Sequence, residues 1–335
     1  MKAKLTLFDV ISILAALLAA VLLKDYGLLK SELSREIDKL NNTRKANQTV
    51  LVFNRTPKAG SESLWKLIDN LAYQNNFTSM SDDQANKKIR GENTYLQTAS
   101  AREYYVTGLL DQPNSTKPVT YTKHINFLNF EEFGYTNPIY INMVRHPVER
   151  IVSWYYYIRQ AWYILEWDED KQEHKLNSRK FQNPHMFKTS FEDCWNDQLP
   201  ECRYHLNQST HSAYGGAHQS QIAFFCGMDP ICDIFGSREA MELAKRNVEK
   251  YYSVVGVLEL WNESLRVFEE FVPYFFRGLP QAYIDSMRGK PKNENKTKPK
   301  TPKHIKQMLA TNFTVEIEFY EFCKQRLYRQ YMAIK

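Results

Sequence analysis

The chain has 335 residues, 43% of them hydrophobic and 14% aromatic, with a formal charge of +6 at pH 7. An ordinary apolar content at this length allows one large domain, or two small ones, with a buried core. The modest basic excess does not imply nucleic acid, because no RNP, zinc-finger or helix-turn-helix pattern accompanies it; it suits a basic groove for an anionic substrate, or plain solubility.

Lys2 and Lys4 precede an apolar run from Leu5 to Leu23, interrupted by Thr6, Asp9 and Ser12 and closed by Lys24 and Asp25. A helix needs roughly 20 apolar residues to cross a bilayer, so 5–23 is expected to be a signal anchor behind a cytosolic tail, 1–4. Lysines on the short side leave the N-terminus cytosolic and the bulk lumenal, a type II arrangement. A cleaved signal peptide is the alternative, but Ala15 to Ala20 leads into Val21-Leu22-Leu23 rather than into a polar site. Residues 24–48 are charged, lack a dense apolar face and read as a stem, which leaves 49–335 as the lumenal domain.

Two further patterns fit a secretory lumen. Nine Asn-x-Ser/Thr sequons begin at Asn41, Asn47, Asn54, Asn76, Asn114, Asn207, Asn262, Asn295 and Asn312. All but Asn54 and Asn295 are taken as candidate glycosylation positions; Asn54 falls at the end of an expected buried strand. Cys194 with Cys202, and Cys226 with Cys232, are close pairs without zinc-site spacing. In an oxidising compartment they read as two short-loop disulfides, with Cys323 left as a buried thiol. No metal is expected.

Val50-Leu51-Val52-Phe53 is a continuous apolar run suited to a buried parallel strand. A helix is predicted from Ser61 to about Gln74, with Leu64, Trp65, Leu67, Ile68 and Leu71 on its apolar face. Further strands are predicted at Val119–Lys123, Pro138–Val144 and Ser253–Leu258. Pro147 opens a helix through Trp154, Tyr155 and Ile158, proline being suited to a first helical turn. Helices are predicted at Ser237–Lys250, Trp261–Val272 and Thr301–Met332. Strands alternating with helices imply an α/β fold, a parallel sheet flanked by helices.

Between the first strand and its helix lies Asn54-Arg55-Thr56-Pro57-Lys58-Ala59-Gly60-Ser61-Glu62-Ser63. Backbone N–H groups in such a turn, together with the helix dipole, make an anion site. Gly60 permits close approach, Lys58 adds charge, and Ser61 and Ser63 add hydroxyls. It is not a Walker A loop, since Lys58 precedes the glycine. An ordinary turn with a surface lysine and a serine cap is the plain alternative.

With this loop, the run from Arg145-His146-Pro147 to Ser153 and the segment Tyr121 to Phe130 resemble the hexuronic acid 2-O-sulfotransferases. That family comprises the heparan sulfate 2-O enzymes, the uronyl 2-sulfotransferases and the Pipe-type enzymes. The likeness runs from about Val50 to Tyr328 and takes in both cysteine pairs, Phe224 to Gly227, Phe275 to Gly278 and Glu318 to Phe322. It implies a P-loop-like sulfotransferase fold, a Golgi location, PAPS as donor, an acidic polysaccharide acceptor and a homotrimer. Residues 58–63 (Lys58, Ala59, Gly60, Ser61, Glu62 and Ser63) would hold the 5′-phosphosulfate, and Arg145 and Ser153 the 3′-phosphate. The late Lys/Pro segment would add Thr297 and Lys300, a solvated linker being the alternative. His124 matches the family's general base, a role suited to an imidazole, and Lys58 matches the lysine that neutralises the leaving PAP. Arg150, Arg159, Arg179, Lys180, Lys188 and Arg203 are candidates for an anionic groove, or simply a solvated face.

Two departures from the family stand in these motifs. Glu62 occupies a position where relatives carry Thr or Arg, and His146 replaces the usual Asp. A carboxylate aimed at the anion loop would repel the donor; aimed along the helix it is favourable. These departures motivate an alternative, a donor-binding-defective lumenal relative that binds or scaffolds glycans. A secretory kinase is a third reading, but no acidic metal-ligand motif lies near the loop.

Overall fold

The computed structural model describes residues 7–81, 96, 98–110, 117–160, 165–168, 173–176, 189–210, 220–288 and 299–335. Helix α1 (Leu7–Leu40) is continuous through most of the expected anchor and much of the expected stem. Among the described residues, no helix is long and apolar enough to cross a membrane.

The domain is organised on a parallel sheet of five strands: β1 (Asn47–Asn54), β2 (Thr78–Ser81), β3 (Val119–Lys123), β4 (Pro138–Val144) and, last in the chain, β7 (Tyr252–Val257). Their order across the sheet is β2-β3-β1-β4-β7. Val50, Leu51, Val52 and Phe53 are all buried, as a strand covered on both faces requires. Register brings the strand ends level, Asn54 standing beside Lys123 of β3 and Phe53 beside Ile141 of β4. Among the described residues, a separate antiparallel pair, β5 (Leu165–Asp168) and β6 (Glu173–Leu176), completes the strands.

Helix α2 (Ser61–Gln74) follows β1, α3 (Ala99–Leu110) precedes β3, and α4 (Pro147–Tyr157) follows β4. Two short helices come next, α5 (Phe191–Asn196) and α6 (Ile222–Cys226), then α7 (Arg238–Tyr251) and α8 (Trp261–Phe271) on either side of β7. Three more, α9 (Pro273–Phe276), α10 (Leu279–Met287) and α11 (Lys303–Asn312), lead to α12 (Thr314–Ile334). Helix α2 packs on α9 and α10, whereas α8 and α12 pack on β7. The single C-terminal helix expected over Thr301–Met332 is therefore two. Phe313 divides them because its ring is fully buried against Tyr204 and Phe235.

The main core joins the sheet to α2, α7, α8 and α12. A smaller core gathers Val148, Ile151, Val152 and Tyr155 of α4 around Phe191, Trp195, Ile305 and Leu309. Disulfides join Cys194 to Cys202 beside this smaller core and Cys226 to Cys232 beside the main one; Cys323 is a buried thiol. Burial pushes that thiol's pKa above its ordinary range.

Candidate active site

Chain connections diverge around β1, toward β2 on one side and, beyond β4, toward β7 on the other. Ligands of open α/β sheets bind in the crevice outside the strands' carboxyl ends at such a point. A cleft of about 550 Å³ lies there, lined by Arg55, Pro57, Lys58, Gly60, Ser61, Glu62, Ser63, His124, Arg145, Ser153, Trp154, Tyr157 and Leu258. The predicted loop, base, strand-end arginine and helix serine thus share one cleft. Ala59 is fully buried beneath the loop. Lys300 is exposed and is not among the residues lining the cleft; Thr297 lies outside the described residues.

The loop turns sharply because Lys58 and Gly60 both have left-handed backbones, with φ of 61° and 82°. For lysine that conformation is strained, and surrounding bonds hold it. Asn142 of β4 accepts from the Thr56 N–H at 3.0 Å and donates to the Asn54 carbonyl at 2.7 Å. Asn54 in turn donates to the Phe224 carbonyl and to the Tyr252 hydroxyl, each at 2.8 Å. The Asn54 side chain is fully buried, so its sequon is closed to glycosylation in the folded domain. Asn76, Asn207 and Asn262 are exposed, and Asn41, Asn47 and Asn312 are half-buried. Asn114 and Asn295 lie outside the described residues.

His124 stands just past β3, where its Nδ1 meets the Arg55 carbonyl at 2.8 Å. A carbonyl only accepts, so Nδ1 carries the proton and Nε2 is the basic nitrogen of the neutral ring. Arg145 follows β4, and its Nη1 donates to the Lys58 carbonyl at 3.3 Å. Burial lowers its pKa, while the Glu259 and Glu149 carboxylates oppose that. From behind, the Arg145 N–H donates to Gln221 Oε1 at 3.4 Å, and the Gln221 N–H donates to buried Glu316 at 3.1 Å.

Both departures have partners of their own, although Glu62 still lines the cleft beside Lys58. Glu62 Oε1 accepts from Lys66 Nζ at 2.7 Å, one helical turn along α2. That bond is the main cause holding its carboxyl below the usual range. His146 makes no side-chain cap for α4; its N–H donates to Glu259 at 3.0 Å and its ring packs edge-on against Tyr320.

Some groove candidates are corrected. Arg150 is fully buried, its pKa pushed down to about 10 by burial, with Glu316 as the leading opposing charge. Burial raises the Glu316 carboxyl in turn. Arg159 is also buried, its guanidinium 3.4 Å over the Tyr155 ring. Arg203 stacks on Trp195 and donates to the Trp195 carbonyl at 2.9 Å. Arg179, Lys180 and Lys188 lie outside the described residues. Trp154 and Tyr157, given no site role from the sequence, also line the cleft. Their signal is positional: on one helix, residues one and four places after Ser153 turn toward the same opening.

A parallel sheet with a cationic strand–loop–helix cradle and a strand-end arginine is an α/β site of a kind suited to an anionic ligand. The chain belongs to the sulfotransferase family, whose model matches residues 41–323. It is 37% identical over 318 residues to the Uronyl 2-sulfotransferase homolog pip of Drosophila melanogaster, covering 93% of this chain and 59% of that protein. It is 28% identical over 281 residues to the human Uronyl 2-sulfotransferase, covering 83% and 62%. Likewise it is 28% identical over 279 residues to Heparan sulfate 2-O-sulfotransferase 1 of Cricetulus griseus, covering 83% and 70%. The chain thus spans about 60% of the length of the two uronyl-named relatives.

Proposed function

We propose that this protein transfers a sulfuryl group from PAPS to the 2-hydroxyl of a hexuronic acid in a glycosaminoglycan or related acidic glycan. The observation that carries this reading is the convergence of Arg55, Lys58, His124, Arg145 and Ser153 on one cleft. Membership of the sulfotransferase family and the names of the relatives support it. The cleft falls within the 300–1,000 Å³ typical of small-molecule sites, and its cations suit a donor bearing phosphates and a sulfate.

In this reading the donor is a substrate gripped at two ends. The α2 N-terminus with Lys58, Gly60, Ser61 and Ser63 takes the 5′-phosphosulfate. Arg145 takes the 3′-phosphate through its guanidinium fork, with the Ser153 hydroxyl beside it. His124 Nε2 removes the proton of the acceptor hydroxyl as that oxygen bonds to sulfur. The sulfur–oxygen bond to the phosphate breaks in the same displacement, its electron pair leaving on the phosphate oxygen. The Lys58 ammonium neutralises the charge that develops there. The proton thus goes to His124, the sulfuryl group to the acceptor oxygen, and the electron pair to the phosphate oxygen of the departing PAP.

The same reading makes the protein a single-pass type II glycoprotein of the Golgi membrane, anchored by 5–23 and trimeric as its family resemblance implies. The basic N-terminal flank, the exposed sequons and the two disulfides support it.

The test combines calorimetric PAP binding with transfer from radiolabelled PAPS to heparan, dermatan and chondroitin acceptors. Label recovered at O2 of a uronic acid is the expected result. A chain that binds no PAP and labels none of the three overturns the enzyme reading and leaves the glycan-binding one.

A further inference from the structure

Lys58 Nζ stands 3.9 Å from the centroid of the Tyr157 ring, well within the roughly 6 Å over which a cation is drawn to an aromatic face. Tyr157 is the last residue of α4, one helical turn beyond Ser153, and lines the same cleft. The Trp154 ring stacks on it, with centroids 5.5 Å apart and planes 26° from parallel. Lys58 is held at its other end as well: its backbone is left-handed and its carbonyl accepts from Arg145. Glu62, the carboxylate in the same lining, is bonded to Lys66.

We infer that Tyr157 is a positioning residue for Lys58, its ring holding the ammonium directed into the cleft until transfer begins. This rests on the sulfotransferase reading above. A long lysine side chain loses rotamer freedom when it is fixed, so one held beforehand loses less on reaching the transition state. A ring face suits the task better than a carboxylate. It attracts the charge but forms no ion pair that the donor would have to displace. The role needs the aromatic face and not the phenol hydroxyl. Phenylalanine should therefore replace Tyr157, and an aliphatic side chain should not.

Full-chain Y157F and Y157M separate these possibilities in two assays. In PAPS-dependent transfer, Y157M should lose about tenfold in kcat, and Y157F should stay within about twofold of the wild type. Affinity for PAP should change less than kcat does in both. Independently of turnover, acetylation of the Lys58 amine by acetic anhydride, read by peptide mass spectrometry, should quicken in Y157M and not in Y157F. Y157L serves if the methionine variant does not fold. Unchanged kcat and unchanged Lys58 reactivity in Y157M would overturn the inference, and so would a Y157F variant as impaired as Y157M. A wild-type chain that binds PAP but transfers nothing would overturn the function instead, with the acetylation rates still deciding where the ammonium sits.

Discussion

His124 owes its placement to a register. Because Asn54 and Lys123 stand side by side in a parallel pair, the residues that follow them emerge together, and the Arg55 carbonyl meets His124 Nδ1. That single bond selects the tautomer whose Nε2 can accept a proton. Replacing His124 with Ala should therefore lower kcat by about 10²- to 10⁴-fold while leaving PAP affinity within about twofold of the wild type. Steady-state transfer and calorimetry on one preparation measure both quantities, and retained turnover would refute the base assignment. At this scale the sequence was legible where motif and chemistry coincide, as at Lys58, His124, Arg145 and Ser153. It was not legible for Arg150, because an arginine reads as surface until the tertiary fold supplies a buried partner such as Glu316. Nor did the sequence alone decide the direction of Glu62. Its Lys66 partner sits at helical spacing, yet whether the carboxylate faced the anion loop or lay along the helix was open in the sequence.

The strand–loop–helix unit from β1 to α2 was the most legible element, and the reason is physical. A fully apolar run, a glycine and an amphipathic helix with one dense face leave few alternatives. Strand β2 went unread because its four residues, Thr78–Ser81, hold a single apolar side chain, Met80, and lie at the sheet edge, with no hydrophobic alternation to mark them. Helix α3 escaped as well, since its buried residues, Tyr105, Val106, Gly108 and Leu109, do not follow a single clean stripe. What sequence does not reveal about the loop is its clamp. Asn142 and Asn54 sit inside strands as ordinary polar residues, and only the register brings them together. The sharp turn above them should be intolerant of a side chain at Gly60. A Cβ there would stand 2.7 Å from Leu258 Cδ1, and φ is +82°. Gly60→Ala should cost about 1–3 kcal/mol of stability and weaken PAP binding about tenfold or more, because the turn's N–H groups shift. Denaturant unfolding and PAP titration test the two parts separately. Unaltered PAP affinity would mean that this loop is not the donor's cradle.

For the whole molecule, the cleft is where two cores meet. The main core fixes the loop, His124 and the Arg145 strand end, while the smaller core fixes the outer face of α4, whose inner face presents Ser153, Trp154 and Tyr157. The Cys194–Cys202 disulfide closes a short loop, eight residues apart in sequence, beside that smaller core. Chain entropy assigns such a link about 2.5 kcal/mol, a large share of an ordinary domain's stability. Substituting both cysteines by serine should thus lower the unfolding free energy by roughly 2–3 kcal/mol. It should also weaken donor binding more than it disturbs the His124–Arg55 side of the cleft, since α4 loses its support and β1 does not. Donor affinity measured below the unfolding transition, alongside the unfolding curve itself, distinguishes this from uniform loosening. If the double-serine variant is destabilised yet binds PAP as the wild type does, the smaller core supports folding only and α4 is held by the sheet alone.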